Sequence, residues 1–404
     1  MDIRIGDTPE GPLRGIRVID ITTQITGPLC SQQLGDLGAD VIKVEPLHGE
    51  VARWMAPPQE AGLTGYYCQM NRNKRGLSID LKQPAGVEAL KRLAADADIL
   101  VENFRGGIPD RLGIGYDDLS PLNERLIYVS ITGYGRGGPY AHRPAYDMLA
   151  QGLVGMAPIQ GEAFDDKPQL IQSAIVDKTT ATTAAGAALA ALYARDGANG
   201  NGRGQRVDVP MIDAYAANSL ADMICVDSFV PNDMPDPVPL ALLRTWETAD
   251  GYAVGMALQD NHFAAFCEAL QCEELLEREG CRNVGERIAD MKPWLDAMGE
   301  VIRRWPTEEL LARMDRAGVP FGPIKTIREF VEDPQVIHNR TIFDAEHPEA
   351  GMLRYVRYPG HLSETPASLH RHPPRLGEHN EEILGEAGYG EKEIATLREQ
   401  GVIS

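Results

Sequence analysis

The sequence has no apolar run approaching the roughly 18 residues needed to span a bilayer, so no transmembrane helix is expected. Residues 1–11 lack an apolar stretch of signal-peptide length. Positive charge is scarce: 39 Lys and Arg stand against 59 Asp and Glu, a net charge of −20. So acidic a chain is a poor match for nucleic acid or an anionic membrane surface, and an anionic ligand would need a local cluster of cations. Cysteine is sparse too. Cys30, Cys68, Cys225, Cys267, Cys272 and Cys281 form no CxxC and no metal-like pairing with histidine, so a reduced, cytoplasmic chain without a metal is expected. No GxGxxG follows the first candidate strand, which disfavours a nicotinamide dinucleotide. The glycine-rich stretch 133–139 is not followed by GK[ST], so it is no P-loop.

What is present describes a globular protein of more than one domain. Hydrophobic residues make up 43% and charged residues 24%, and 404 residues exceed the roughly 250–300 at which a single core stops growing. Gly15-Ile16-Arg17-Val18-Ile19-Asp20-Ile21 reads as a buried strand and Thr22 to Thr26 as a turn. Gly27-Pro28 opens a helix that Gly38 ends, and Asp40 to Glu45 forms a second strand. Strand, helix and strand within about 30 residues make a βαβ unit with a right-handed crossover. Further strands at Leu77–Leu81, Asp98–Glu102 and Leu126–Ile131 alternate with helical stretches, which predicts a doubly wound α/β layer. After a Pro- and Asp-rich stretch at 229–239 comes a hairpin with its turn at Asp250-Gly251. Helices and a short strand at Val319–Ile324 follow, a second, smaller piece. His361, His370, His372 and His379 lie close together without supporting Cys or carboxylate spacing, and read as a polar loop near Pro373-Pro374.

Three stretches carry candidate chemistry. Asn71-Arg72-Asn73-Lys74-Arg75-Gly76 is a basic loop, either merely solvated or placed to meet an anion. Asn103-Phe104-Arg105-Gly106-Gly107 follows a strand and offers an amide, a ring, a cation and free N–H groups, a mix suited to a nucleotide or pantetheine; Arg111 could add a second cation. Asp177 sits at or just before the helix formed by the Ala- and Gly-rich run 181–195. It reads equally as an N-cap and as a carboxylate nucleophile, and the two are compatible because a helix N-terminus favours the ionised form.

The motifs resemble a family. Gly15 to Asp20 with Gly27-Pro28, Leu37-Gly38-Ala39-Asp40-Val41-Ile42-Lys43-Val44-Glu45, Asn73 to Lys82, Val101-Glu102-Asn103-Phe104, Gly202 to Val209 and Pro374-Arg375-Leu376-Gly377-Glu378-His379 match, in order, the class III CoA-transferases of the formyl-CoA and carnitine-CoA type. The resemblance implies an interlocked homodimer. Each subunit would have a Rossmann-like large domain and a smaller α+β domain: 1–228, a linker at 229–245, the small domain at 246–325, and a return at 326–404. It further implies Asp177 as nucleophile and CoA contacts at Gln24, Ile25, Asp80, Lys82, Asn103, Phe104, Arg105, Arg111, Tyr146 and Asp147. Substrates would be an acyl-CoA and a small carboxylic acid, with no cofactor or metal beyond CoA itself.

Two departures qualify the resemblance. Val238 to Trp246 has no glycine where formyl-CoA members carry a glycine run, which argues against formyl or oxalate specificity. The α-methylacyl-CoA racemases share the fold and pair the aspartate with a histidine. Here that position is Tyr146, and a phenol, with its ordinary pKa near about 10, is a poor second base at neutral pH. The expected reaction is therefore CoA transfer through aspartyl-acyl anhydride and aspartyl-CoA thioester intermediates. The alternatives are a 2-methylacyl-CoA racemase or epimerase, or a CoA-binding subunit of a heteromer. Arg53 and Arg244 are candidates for a second substrate carboxylate.

Overall fold

The structure is a computed structural model that describes residues 4–6, 9–55, 62–162, 167–231 and 243–404. The chain separates into two compact units. The first comprises Met1–Gln160, Pro168–Cys225 and Ile337–Ser404; the second comprises Gly161–Lys167 and Val226–Val336.

The first unit is built on β1 (Arg17–Asp20), α1 (Thr26–Asp36), β2 (Asp40–Glu45), α2 (Gly65–Asn71), β3 (Lys74–Ser78), α3 (Pro84–Ala95), β4 (Ile99–Glu102) and β5 (Ile127–Thr132). These are followed by α4 (Asp147–Leu153), α5 (Met156–Glu162), α6 (Ile175–Asp196), β6 (Arg206–Pro210) and α7 (Met211–Ser219). Six strands pair in the order β3-β2-β1-β4-β5-β6, all parallel. Strand side chains alternate between faces. Val18, Val41, Ile99, Val101, Ile127 and Val129 share a core with α1 and α6. Ile19, Ile42, Leu100 and Tyr128 share another with Leu90 and Leu93 of α3. Each such buried aliphatic side chain stabilises the sheet by about 1.5–3 kcal/mol. On α6 the buried positions include Ala181, Ala184, Ala185, Ala188 and Ala191, and these small side chains let α1 lie close alongside.

Helix α6 begins at Ile175, earlier than the small-residue run alone indicates, and Asp177 lies inside its first turn. The N-cap residue, Ala174, has no side chain for capping. Asp147, at the start of α4, supplies the cap instead: its Oδ2 accepts the N–H groups of Val176 at 2.7 Å and Asp177 at 3.1 Å. The bland N-cap reading of Asp177 therefore gives way to a cap from another helix.

The basic stretch before β3 is not a solvated loop. Arg72, Lys74 and Arg75 are buried. Arg72 pairs with Asp36 at 2.6 Å and Lys74 with Asp20 at 2.9 Å. Arg75 pairs with Asp40 at 2.6 Å and with Glu382 and Glu386 at 2.9 and 2.7 Å. The strand starts at Lys74, so these cations neutralise carboxylates of the neighbouring elements and are engaged rather than offered to a ligand.

The second unit holds β7 (Thr245–Glu247), β8 (Tyr252–Gly255), α8 (Asp260–Leu270), α9 (Met291–Ile302), α10 (Thr307–Ala317) and β9 (Phe321–Pro323). The hairpin at Asp250-Gly251 is formed, with Trp246 opposite Ala253, and β9 adds to β8 antiparallel. Trp294, Phe263 and Phe266 are fully buried in its core. Residues 232–242, which hold most of the expected linker and of the glycine-free segment, lie outside the described residues. The chain then returns to the first unit through β10 (Ile342–His347), β11 (Gly351–Val356), α11 (Asn380–Glu386) and α12 (Glu391–Glu399). Ile383 and Leu384 of α11 join the core beneath Ile19 and Leu100. Among the four grouped histidines, His370 is buried, with its pKa lowered to about 4 by burial and by Arg371. His379 Nδ1 accepts the N–H of Gly76, and His372 meets Glu378 at 3.2 Å. Among the described residues no group of three or more His, Cys, Asp or Glu is placed to hold a metal, and no helix is long and apolar enough to cross a membrane.

Candidate active site

In a parallel sheet every strand delivers its following loop to the same edge. The order 3-2-1-4-5-6 places the topological switch between β1 and β4, and ligands of doubly wound sheets bind in the crevice there. The loops after β1 and β4 are tied together by one side chain. Asn103 Nδ2 donates to the Thr23 carbonyl at 2.9 Å, and the Thr23 N–H donates back to Asn103 Oδ1 at 3.0 Å.

The loop after β1 is also held from behind by buried charge. Asp20 accepts the Thr22 N–H at 2.9 Å, Ser31 Oγ at 2.6 Å and Lys74 Nζ at 2.9 Å. Burial opposes its ionisation, but Lys43 and Lys74 outweigh that and hold the carboxyl well below the usual range. Lys43 Nζ donates to the Thr22 carbonyl at 2.5 Å and pairs with Glu50 at 3.1 Å. Glu50 in turn accepts the N–H of Gln24 at 2.6 Å, and Gln24 has φ +70°, a left-handed conformation unusual for a non-glycine residue. The chain then turns into α1 at Thr26-Gly27. A Cβ on Gly27 would lie 2.2 Å from Thr22 Cβ, so only glycine lets the helix start this close to the loop.

That approach delivers Thr26, which is buried, to Asp177, which is half-buried, and the threonine hydroxyl donates to Asp177 Oδ1. Burial pushes the Asp177 pKa up to about 6. The Thr26 hydrogen bond opposes the rise, the negative Asp147 adds to it, and Lys178 counters. On sequence grounds the helix N-terminus favours the charged form; here burial outweighs it. The carboxylate is still mostly ionised at neutral pH, and a more basic carboxylate is a better nucleophile. Tyr66 of α2 faces the same place: burial, then the charges of Asp177 and Glu50, raise its phenol to about 12. Neither Thr26 nor Tyr66 carries a sequence signal, because each meets Asp177 only through tertiary packing.

Several of the remaining sequence-derived residues fall along the same edge. Gln24 and Ile25 follow β1, Asp80 and Lys82 follow β3, and Asn103, Phe104 and Arg105 follow β4. Asp80 Oδ1 accepts the Lys82 N–H at 2.9 Å, the turn that launches α3. Phe104 is half-buried and its N–H donates to Glu102 at 2.8 Å. Burial raises Glu102 to about 7 against the pull of Ser130 and that N–H. Arg105, Arg111 and Lys82 are exposed. Tyr146 is exposed beside the half-buried Asp147 cap. Arg53 is sealed in a bidentate pair with Glu45, at 2.8 and 2.7 Å, and cannot serve a substrate carboxylate. Arg244 lies in the second unit, over the Trp246 ring at 4.9 Å.

Known proteins resemble this chain over most of its length. The profile of CoA-transferase family III matches residues 13–380. The human succinyl-CoA:glutarate CoA-transferase is 31% identical, over 97% of this chain and 90% of that protein. The formyl-CoA:oxalate CoA-transferase of Streptomyces coelicolor is 34% identical, over 97% of this chain and 99% of that one. Among solved structures, a CAIB/BAIF family protein from Brucella suis superimposes with TM-score 0.80 and 32% identity, covering 94% of this chain and all of that one.

Proposed function

The chain belongs to CoA-transferase family III and is a CoA-transferase, and from that premise we propose that it moves CoA through covalent intermediates on Asp177. The donor is an acyl-CoA and the acceptor a small carboxylic acid. Asp177 attacks the donor thioester, giving an aspartyl-acyl anhydride and CoA thiolate. The thiolate attacks the aspartyl carbonyl, giving an aspartyl-CoA thioester and free donor acid. The acceptor carboxylate attacks that thioester, and the thiolate then takes the acceptor's acyl group. Each step exchanges one activated acyl bond for another, so the cycle calls for no cofactor or metal beyond CoA. The observation that carries the reading is the half-buried Asp177 carboxylate, set at the switch-point edge and raised to about 6. Arg105, Arg111 and Lys82, all exposed, support the phosphate end of CoA along that edge. The succinyl-CoA, glutarate, formyl-CoA and oxalate named for the relatives form the first substrate panel.

With that panel, Asp177→Ala is expected to lower kcat by more than about 10³-fold while CoA still binds, and mass spectrometry of wild-type protein mixed with acyl-CoA should find an adduct on Asp177. A variant keeping more than a few per cent of kcat would refute the covalent scheme. We also propose an interlocked homodimer, its small domain at 246–325 reached by linkers at 229–245 and 326 onward. Exposed Met148, Leu149, Leu153, Ile159 and Tyr193 of the first unit support self-association. The solution mass is expected to be about twice 44.2 kDa, and a monomer would count against it. Cys30, Cys68, Cys267, Cys272 and Cys281 are free and buried, which supports a cytoplasmic home.

A further inference from the structure

One contact at the site has a chemical meaning that the nucleophile alone does not supply. Of the two carboxylate oxygens of Asp177, Oδ1 accepts the Thr26 hydroxyl, whereas Oδ2 accepts no hydrogen bond among the described residues. The oxygens are therefore not equivalent before any substrate arrives. Thr26 cannot drift from this position. It is the first residue of α1, it is buried, and the next residue is packed against Thr22. The loop before it is fixed by Asp20, Lys43, Glu50 and Asn103. A β-branched side chain adds few rotamers of its own.

We propose that Thr26 is a catalytic residue: its hydroxyl holds Asp177 Oδ1, leaves Oδ2 as the attacking atom, and stabilises the oxyanion that forms on Oδ1 whenever the aspartyl carbonyl is itself attacked. This rests on Asp177 being the nucleophile. In the first step a lone pair of Oδ2 bonds to the thioester carbonyl carbon and the C–S bond breaks; the charge passes from carboxylate to thiolate, and no proton moves. In the second step the thiolate bonds to Cγ, and the pair of the Cγ=Oδ1 bond moves onto Oδ1, against the Thr26 hydroxyl. Collapse breaks Cγ–Oδ2, so the donor acid departs as a carboxylate carrying Oδ2. The aspartyl-CoA thioester keeps Oδ1 as its carbonyl oxygen, still on Thr26. The acceptor carboxylate then attacks Cγ, charging Oδ1 a second time, and expels the thiolate. A donor already in place at the atom where charge develops needs no reorganisation, which is what makes such contacts effective.

The test compares Thr26→Val, which keeps the shape without the hydroxyl, with Thr26→Ser, which keeps the hydroxyl. Thr26→Val is expected to lose roughly 10²-fold in kcat, the usual effect of removing one oxyanion donor, with KM for acyl-CoA little changed. Thr26→Ser is expected to stay within about fivefold of wild type, because the donor remains. The charged groups facing Asp177 are Asp147, Lys178 and, if ionised, Tyr66. With those unchanged, loss of the hydroxyl should move the acidic limb of kcat/KM upward in Thr26→Val alone. Thermal melts of both variants separate lost chemistry from lost folding. The proposal is overturned if Thr26→Val keeps kcat within threefold with an unmoved limb, or if Thr26→Ser is impaired as much as Thr26→Val. An active Asp177→Ala would instead remove the nucleophile reading; a dead Asp177→Ala with a normal Thr26→Val would remove only this inference.

Discussion

Asp20 and Asp177 are carboxylates on opposite sides of one loop, and they are treated in opposite ways. Asp20 is fully buried with two lysines, two hydroxyls and an N–H around it, and is driven toward the charged form. Asp177 has one hydroxyl on one oxygen, a negative neighbour in Asp147, and a pKa raised to about 6. Burial penalises both charges; the number of partners decides the outcome. A carboxylate with every lone pair engaged is scaffold. One held at a single oxygen retains the reactivity that its neighbour has surrendered.

The largest effect is expected on the scaffold side. Asp20→Ala leaves Lys43 and Lys74 buried without their carboxylate, and should destabilise the fold by about 3–5 kcal/mol. Because the folded pKa is depressed, the stability Asp20 supplies is present above its ordinary pKa and is lost only as acid carries the pH below that. Urea or thermal unfolding at neutral pH measures the effect, and a loss below about 1 kcal/mol would mean that the network is dispensable.

On the reactive side the effects are smaller and appear in pH. In the proposed mechanism the ionised form of Asp177 attacks, and its folded pKa is raised to about 6, so activity should fall as pH drops through about 6 and level off above about 7. Asp147→Asn removes the charge that adds to the rise while keeping an oxygen to cap α6. Its acidic limb should move down, at a stability cost of about 0.5–2 kcal/mol or less. A limb that stays put or moves up would contradict the electrostatic account.

Much of the first unit could be read from residue order alone. Val18-Ile19, Val41-Ile42 and Ile99-Leu100-Val101 are runs that only a sheet buried on both faces can use, and the Gly27-Pro28 and Gly38 signals bound α1 closely. Asp177 stood out because a long small-residue helix begins beside it. The failures share one cause. Arg72, Lys74 and Arg75 look solvated in a linear reading because Asp36, Asp20, Asp40 and Glu386 lie far away along the chain. The cap on α6 was invisible for the same reason, as its acceptor, Asp147, belongs to another helix. Thr26 carries no pattern: its role exists only once α1 lies against α6.

The Asn103 bridge has one more implication. Strands β1 and β4 run in register through Asp20 and Val101, and Ile21 still donates to the Val101 carbonyl at 3.0 Å. Two residues farther on, where main-chain pairing has ended, the carboxamide of Asn103 makes both of the bonds that another rung would have made. The crevice floor is thus a prolongation of the sheet, cast partly in side chain. In the proposed reaction, a thioester laid across it would rest on backbone that the carboxamide ties across two loops, where main chain alone makes no such bond.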